Sequence, residues 1–190
     1  MIKVENLSFS YQGTPVIDRL SLEIQSPGMT LLTGANGRGK TTLLKLLAGV
    51  LQPTSGAIAY SDQKRPHELR SVAPQKRSFD LAFTVEEILA IVKIRSHLRA
   101  EIIERLELTP LLASKVTELS LGQQQRVSVA LALIQESDFY LLDEPFSAQD
   151  SHFESALLSL LRDIAKRKGV LVISHHAENM HSLFDYSITL

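Results

Sequence analysis

Glycines at 34, 37 and 39 lead directly into Lys40, Thr41 and Thr42, in the run Gly34-Ala35-Asn36-Gly37-Arg38-Gly39-Lys40-Thr41. The pattern G-x-x-x-x-G-K-[ST] is suited to anion capture. Glycines let the backbone turn successive N–H groups toward one point, and a helix starting there adds partial positive charge. Lys40 offers a point charge for the β- and γ-phosphates of a nucleoside triphosphate, and Thr41 a hydroxyl for Mg²⁺. Residues 34 to 42 are therefore candidate ATP-binding residues. Arg38 is bulky and charged where the loop needs neither property. It reads either as a solvent-facing side chain or as an extra contact to phosphate or to a partner.

The second chemical signal is Phe139-Tyr140-Leu141-Leu142-Asp143-Glu144. An apolar strand ending in two carboxylates puts them at the carboxyl edge of a sheet, where ligands gather in open α/β folds. Asp143 suits Mg²⁺, bound directly or through water. Glu144 could polarise a water for attack. Alone, such a pair is a solvated turn; beside a phosphate loop it reads as hydrolytic machinery.

The third segment is Leu119-Ser120-Leu121-Gly122-Gln123-Gln124-Gln125-Arg126. On its own it is a helix start capped by Ser120. Taken with the first two, it makes the chain resemble the ABC ATPases, because residues 119–123 are similar to that family's LSGGQ signature and lie just upstream of the acidic strand. The other family motifs follow in order across almost the whole chain. Gln75 resembles the Q-loop glutamine, Ser147-Ala148-Gln149-Asp150 the D-loop, and His175 the switch histidine. Tyr11 stands where the family keeps an aromatic to stack on adenine. The resemblance implies that Lys40, Thr41, Asp143 and Gln75 hold MgATP, with Thr41, Gln75 and Asp143 as metal ligands. It implies that Glu144 activates water and that His175 positions water and γ-phosphate. It further implies that Ser120, Gly122, Gln123 and Asp150 complete a site shared between two chains.

Three residues depart from the family pattern. Leu121 replaces a glycine of the signature, Arg38 a small residue of the phosphate loop, and Gln149 an aliphatic residue of the D-loop, where it would alter the contact between subunits. The lesser motifs also have plain readings. Tyr11 could be an ordinary strand aromatic, and Gln75 a surface amide after Pro74. His175 could be a satisfied histidine at a strand end or, with His176 and His181, a metal ligand. The spacing supplies no further ligand for that metal.

These residues need elements to hold them. Alternation marks strands over 2–10 and 16–24, and 29–33 is a short buried run. Helical spacing follows over 41–51, with Leu43, Leu44, Leu46 and Leu47 on an apolar face. Strands are expected at 56–60 and 69–73. Helices are expected at 84–94 and 98–108, and from Ser120 through Ile134. After the strand 139–142, an amphipathic helix over 151–168 ends in Lys166, Arg167, Lys168 and Gly169, a basic stop. Strands 170–174 and 186–190 complete the pattern. Strands alternating with helices imply a mainly parallel sheet covered on both faces.

The chain has 190 residues, net charge −1, 44% hydrophobic and 22% charged residues, and no cysteine. That excludes disulfides and thiolate metal sites. It argues against a broad basic footprint for nucleic acid. No run approaches the ~20 apolar residues of a membrane span. The expected protein is soluble and cytoplasmic, with any transport path on another chain.

The resemblance implies one ABC ATPase domain over 1–190, of class α/β. It would have a P-loop NTPase, RecA-like core with a mainly parallel sheet and an N-terminal antiparallel β subdomain. A short helical subdomain would be inserted near 76–121. Little follows His175, so no regulatory C-terminal domain is expected. Two chains, this one and a second copy or a homologous ATPase, would lie head to tail and close on ATP. They would serve separate transmembrane permease subunits from a peripheral position at the inner face of the cell membrane. A soluble ABC ATPase of translation or repair and a nucleotide-gated adaptor are the alternatives. Residues 75–89 loosely resemble subunits of metal-ion uptake systems. Phe79, Leu81 and Phe83 there read as core or as a groove for a short helix of a membrane subunit.

Overall fold

The computed structural model describes residues 1–60, 70–74, 83–92, 99–174 and 181–190. The chain opens with β1 (Ile2–Tyr11) and β2 (Thr14–Ile24), which with β4 (Ser55–Tyr60) form an antiparallel sheet in the order β2-β1-β4. β1 buries Ile2 and Val4, then Leu7 and Phe9. A register shift between Val4 and Leu7 absorbs one residue and keeps both pairs on the same face.

β3 (Gly28–Thr33), β5 (Arg70–Ala73), β6 (Phe139–Asp143), β7 (Gly169–Ile173) and β8 (Tyr186–Thr189) form the second sheet, ordered β5-β6-β7-β3-β8, with every neighbouring pair parallel. β6 and β7 are buried throughout. Their alternate residues feed two different cores. Phe139, Leu141, Leu171 and Ile173 pack with β1, β2 and α1 (Lys40–Leu47). Tyr140, Leu142, Val170 and Val172 pack with α4 (Leu121–Ile134) and α5 (Ser151–Ala165). This is the parallel sheet covered on both faces that the sequence pattern implied. Between β5 and α4 come α2 (Val85–Ile91) and α3 (Arg99–Arg105), which send Val85, Leu89 and Ile102 into the same core as α4 and α5. Among the described residues no helix is long and apolar enough to cross a membrane.

The elements differ from the sequence reading mainly at their ends. α1 stops at Leu47 rather than at 51, because Gly49 takes a left-handed φ of 72°. The Gly49 and Val50 N–H groups then turn back to the carbonyls of Leu46 and Lys45. α5 stops at Ala165, three residues early, and Lys166 caps it through its N–H to the carbonyl of Arg162. α2 and α3 are both shorter than expected, and residues 93–98 between them lie outside the described residues. The short 3₁₀ turns Thr109–Leu111, Val116–Glu118 and His181–Leu183 were not foreseen.

Candidate nucleotide site

β3 delivers the chain to the glycine-rich loop, and α1 receives it at Lys40. Gly39, the residue before the helix, has φ 87°, a left-handed conformation that costs any other residue about 1–2 kcal/mol. It is crowded as well, since a Cβ there would stand 3.1 Å from Val16 Cγ1. Lys40 is buried, and its Nζ donates to the carbonyls of Gly34 (2.8 Å) and Ala35 (3.0 Å). The ammonium is thus held by carbonyls of the loop itself, on the residue that opens α1, where unpaired helix N–H groups gather. Ala35, Asn36, Gly37 and Arg38 are exposed, so the solvent-facing reading of Arg38 describes its position here.

β6 runs parallel to the strands beside it and ends at the same sheet edge. There Thr41 Oγ1 donates to Asp143 Oδ2 at 2.8 Å, joining residues 102 positions apart. A hydroxyl and a carboxylate side by side are hard oxygen donors, the set Mg²⁺ favours. Thr42, the next residue along α1, is buried. Glu144 follows Asp143 with φ 51°, a left-handed backbone rare outside glycine. Its N–H donates to the Ile173 carbonyl at 3.0 Å, and its side chain is buried. Such strain collects at functional sites, where the surrounding structure holds it.

A second group forms at the start of α4. Ser120 and Gln123 make a reciprocal cap: Ser120 Oγ accepts from the Gln123 N–H at 3.2 Å, and Gln123 Oε1 accepts from the Ser120 N–H at 2.9 Å. Gln124 braces the turn by donating to the carbonyls of Val116 and Leu119. Leu121, on the first turn, is 80% exposed. Gly122 presses on the segment after β6, where a Cβ at 122 would meet the Ala148 carbonyl oxygen at 2.7 Å. Asp150 caps α5 through the Phe153 N–H (2.8 Å) and pairs with Arg126. That N–H, the Arg126 guanidinium and His152 hold the Asp150 carboxyl below the usual carboxylate range.

The predicted site residues thus fall into two clusters, one around Lys40, Thr41, Asp143 and Glu144 and one around Ser120, Gly122, Gln123 and Asp150. Tyr11 is exposed at the end of β1, its ring edge-on to Phe9 with centroids 4.8 Å apart. Gln75, Phe79, Leu81, His175 and His176 lie outside the described residues. Among the described residues no group of three or more metal-ligating side chains is found. Sequence reasoning gave no role to Arg126, Glu107 or His152, which the second cluster ties together. The available signal was Arg126 four residues after Gly122, on the same helical face.

A model of the ABC transporter family matches residues 17–147. The chain belongs to the ABC transporter family. It is 33% identical to the zinc transport system ATP-binding protein TroB of Treponema pallidum, over 100% of this chain and 77% of that protein. It is 30% identical to the manganese transport system ATP-binding protein MntB of Bacillus subtilis, over 100% of this chain and 82% of that one. The dimeric structure of a bacterial ABC transporter cassette superposes with a TM-score of 0.84 at 25% identity, covering 100% of this chain and 94% of that one.

Proposed function

We propose that this chain is the ATP-binding and ATP-hydrolysing subunit of a transporter that takes up a divalent metal ion through separate permease subunits. The observation that carries the proposal is the meeting of Thr41 with Asp143 at 2.8 Å, one residue from the buried Glu144 and one from the buried Lys40. That meeting supports the reading that a triphosphate site, a Mg²⁺ site and a water-activating carboxylate share one sheet edge. The metal cargo rests on the zinc and manganese systems of the relatives. Two chains would pair so that the α4 start of one faces the phosphate loop of the other, at the inner face of the membrane. The whole of 1–190 is taken as one ATPase domain, with the helices near 76–121 as its insertion.

Within a site, Lys40 would hold the β- and γ-phosphates, and Tyr11 would stack on the adenine. Mg²⁺ would be held by Thr41, Asp143 and Gln75, and when bound it neutralises charge building on the phosphates. Glu144 would accept a proton from the attacking water, and His175 would orient that water. Gln75 and His175 take these roles from their places in the sequence. Most of the rate then comes from placement and fixed charge.

Phosphate release from the purified chain with MgATP tests the proposal. Lys40→Ala is expected to lose ATP binding. Glu144→Gln is expected to keep binding while turnover falls about 10²–10⁴-fold, the range for removing a general base. A Glu144→Gln chain that hydrolyses ATP within a few-fold of the parent would remove Glu144 as the base.

A further inference from the structure

Two segments 27 residues apart in sequence meet at the amino-terminal turn of α4, and the Gln149 side chain spans them. Its Nε2 donates to the Gly122 carbonyl at 2.9 Å, and its Oε1 accepts from Arg126 Nε at 2.9 Å. Gly122 and Arg126 are four residues apart, on one helical face. One amide therefore grips the helix at two successive turns, with donor and acceptor both engaged. An aliphatic residue could make neither bond. The absence of a side chain at 122 permits the approach, since a Cβ would stand 2.7 Å from the Ala148 oxygen and 3.5 Å from Gln149 Nε2. Arg126 is fixed in turn by Glu107 and Asp150, and it lies over the Phe153 ring at 4.2 Å. The sequence pointed Gln149 at a second subunit; the structure engages it within its own chain.

We infer that Gln149 is a positioning residue that locks the first turn of α4 to the segment running from Glu144 to Asp150. The turn that presents Ser120 and the strand end that carries Glu144 then move as one body. The inference rests on the ATPase reading above and concerns how its two halves are coupled. A surface already held in place needs less ordering when a partner closes on it. Removing the lock should therefore weaken ATP-driven pairing of two chains while leaving the phosphate loop of each chain as it is.

The test uses two variants in the full chain carrying Glu144→Gln, so that hydrolysis does not separate the pair. Gln149→Met keeps the length and removes both bonds. Gln149→Glu keeps the acceptor for Arg126 and removes the donor to Gly122. Dimer affinity is read by light scattering over a protein dilution series with ATP. Monomer affinity is read with a fluorescent ATP analogue, and melting temperature without nucleotide. Both variants are expected to weaken the dimer about tenfold, the scale of one or two net hydrogen bonds. ATP affinity of the monomer should be unchanged, while the melting temperature falls by a few degrees, because both bonds lie within the chain's own fold.

Arg126→Lys removes the Nε bond from the other side, and its effect on pairing is expected to be less than additive with Gln149→Met. Additive effects would show that Gln149 and Arg126 act independently and overturn the inference. So would parent-like pairing by Gln149→Met, or a loss of monomer ATP affinity as large as the loss of pairing. Parent-like pairing by Gln149→Glu alone would leave Arg126 as the only hold and overturn the bridge. If the Glu144→Gln parent itself does not pair with ATP, the two-chain reading fails first and the inference falls with it.

Discussion

Glu144 pays for its place with a left-handed backbone at the very end of a buried strand. The strain is explicable if the carboxylate must leave the strand direction that Asp143 follows to reach Thr41. Lys40, Thr41, Asp143 and Glu144 were legible in the sequence because residue type and spacing together leave few other uses for them. Gln149 was not, because its two partners come from a helix far away in sequence and no local pattern announces a side chain that reaches back. Tyr11 stands between these cases. Its exposure suits a stacking surface, and its edge-on contact with Phe9 suits an ordinary strand aromatic. Tyr11→Ala separates them. Stacking predicts a loss of about 1–3 kcal/mol in ATP affinity, by analogy with base stacking on nucleic-acid-binding proteins, and none for inorganic triphosphate. Titration calorimetry with both ligands, showing equal weakening, would assign Tyr11 to the fold.

At the scale of elements, the start of α4 carries the sharpest consequence. A carboxylate placed at 122 would be a poor probe of a shared site, because its Cβ would first collide with the Ala148 carbonyl of its own chain. Ser120 is the better position. It is exposed, and its hydroxyl serves as the helix cap. Aspartate caps as well as serine does, so Ser120→Asp should keep the helix and add a negative charge. Like charges a few Å apart repel by about 1 kcal/mol in water and several times more where water is excluded. ATP-driven pairing should be abolished, with monomer ATP affinity and melting temperature unchanged. Ser120→Ala should instead cost about 1 kcal/mol of stability by loss of the cap, seen as a lower denaturant midpoint. Normal pairing by Ser120→Asp would mean that this turn does not face nucleotide. The Ser120 cap was readable in sequence, as a serine before an apolar-periodic run. The early stop of α1 carried its signal too, in Gly49, but the leucines around it extended the apparent helix.

Across the whole molecule, the sequence marked 139–142 as a buried strand, because four apolar residues run up to Asp143, and β6 is buried throughout. Sequence pattern could not show the order β5-β6-β7-β3-β8, which depends on pairings between strands far apart in the chain. The same topology sets Phe153 of α5, fully buried, under Arg126 of α4, so that packing and the polar cluster share a residue. Phe153→Ala should therefore destabilise the chain by about 3–5 kcal/mol, read by urea unfolding, as for other large buried aromatics. A loss under 1 kcal/mol would show that α5 is not a pillar of this core.

The central claim is that one chain holds half of each ATP site and a second chain completes it. The direct measurement is the mass of the Glu144→Gln chain by light scattering, with and without MgATP. Without nucleotide it should run at the monomer mass of 21.1 kDa. With saturating MgATP it should run at about twice that mass, since nucleotide that contacts both chains must favour the paired state, and return to monomer when nucleotide is removed. A chain that binds MgATP to saturation and stays at 21.1 kDa would contradict the account.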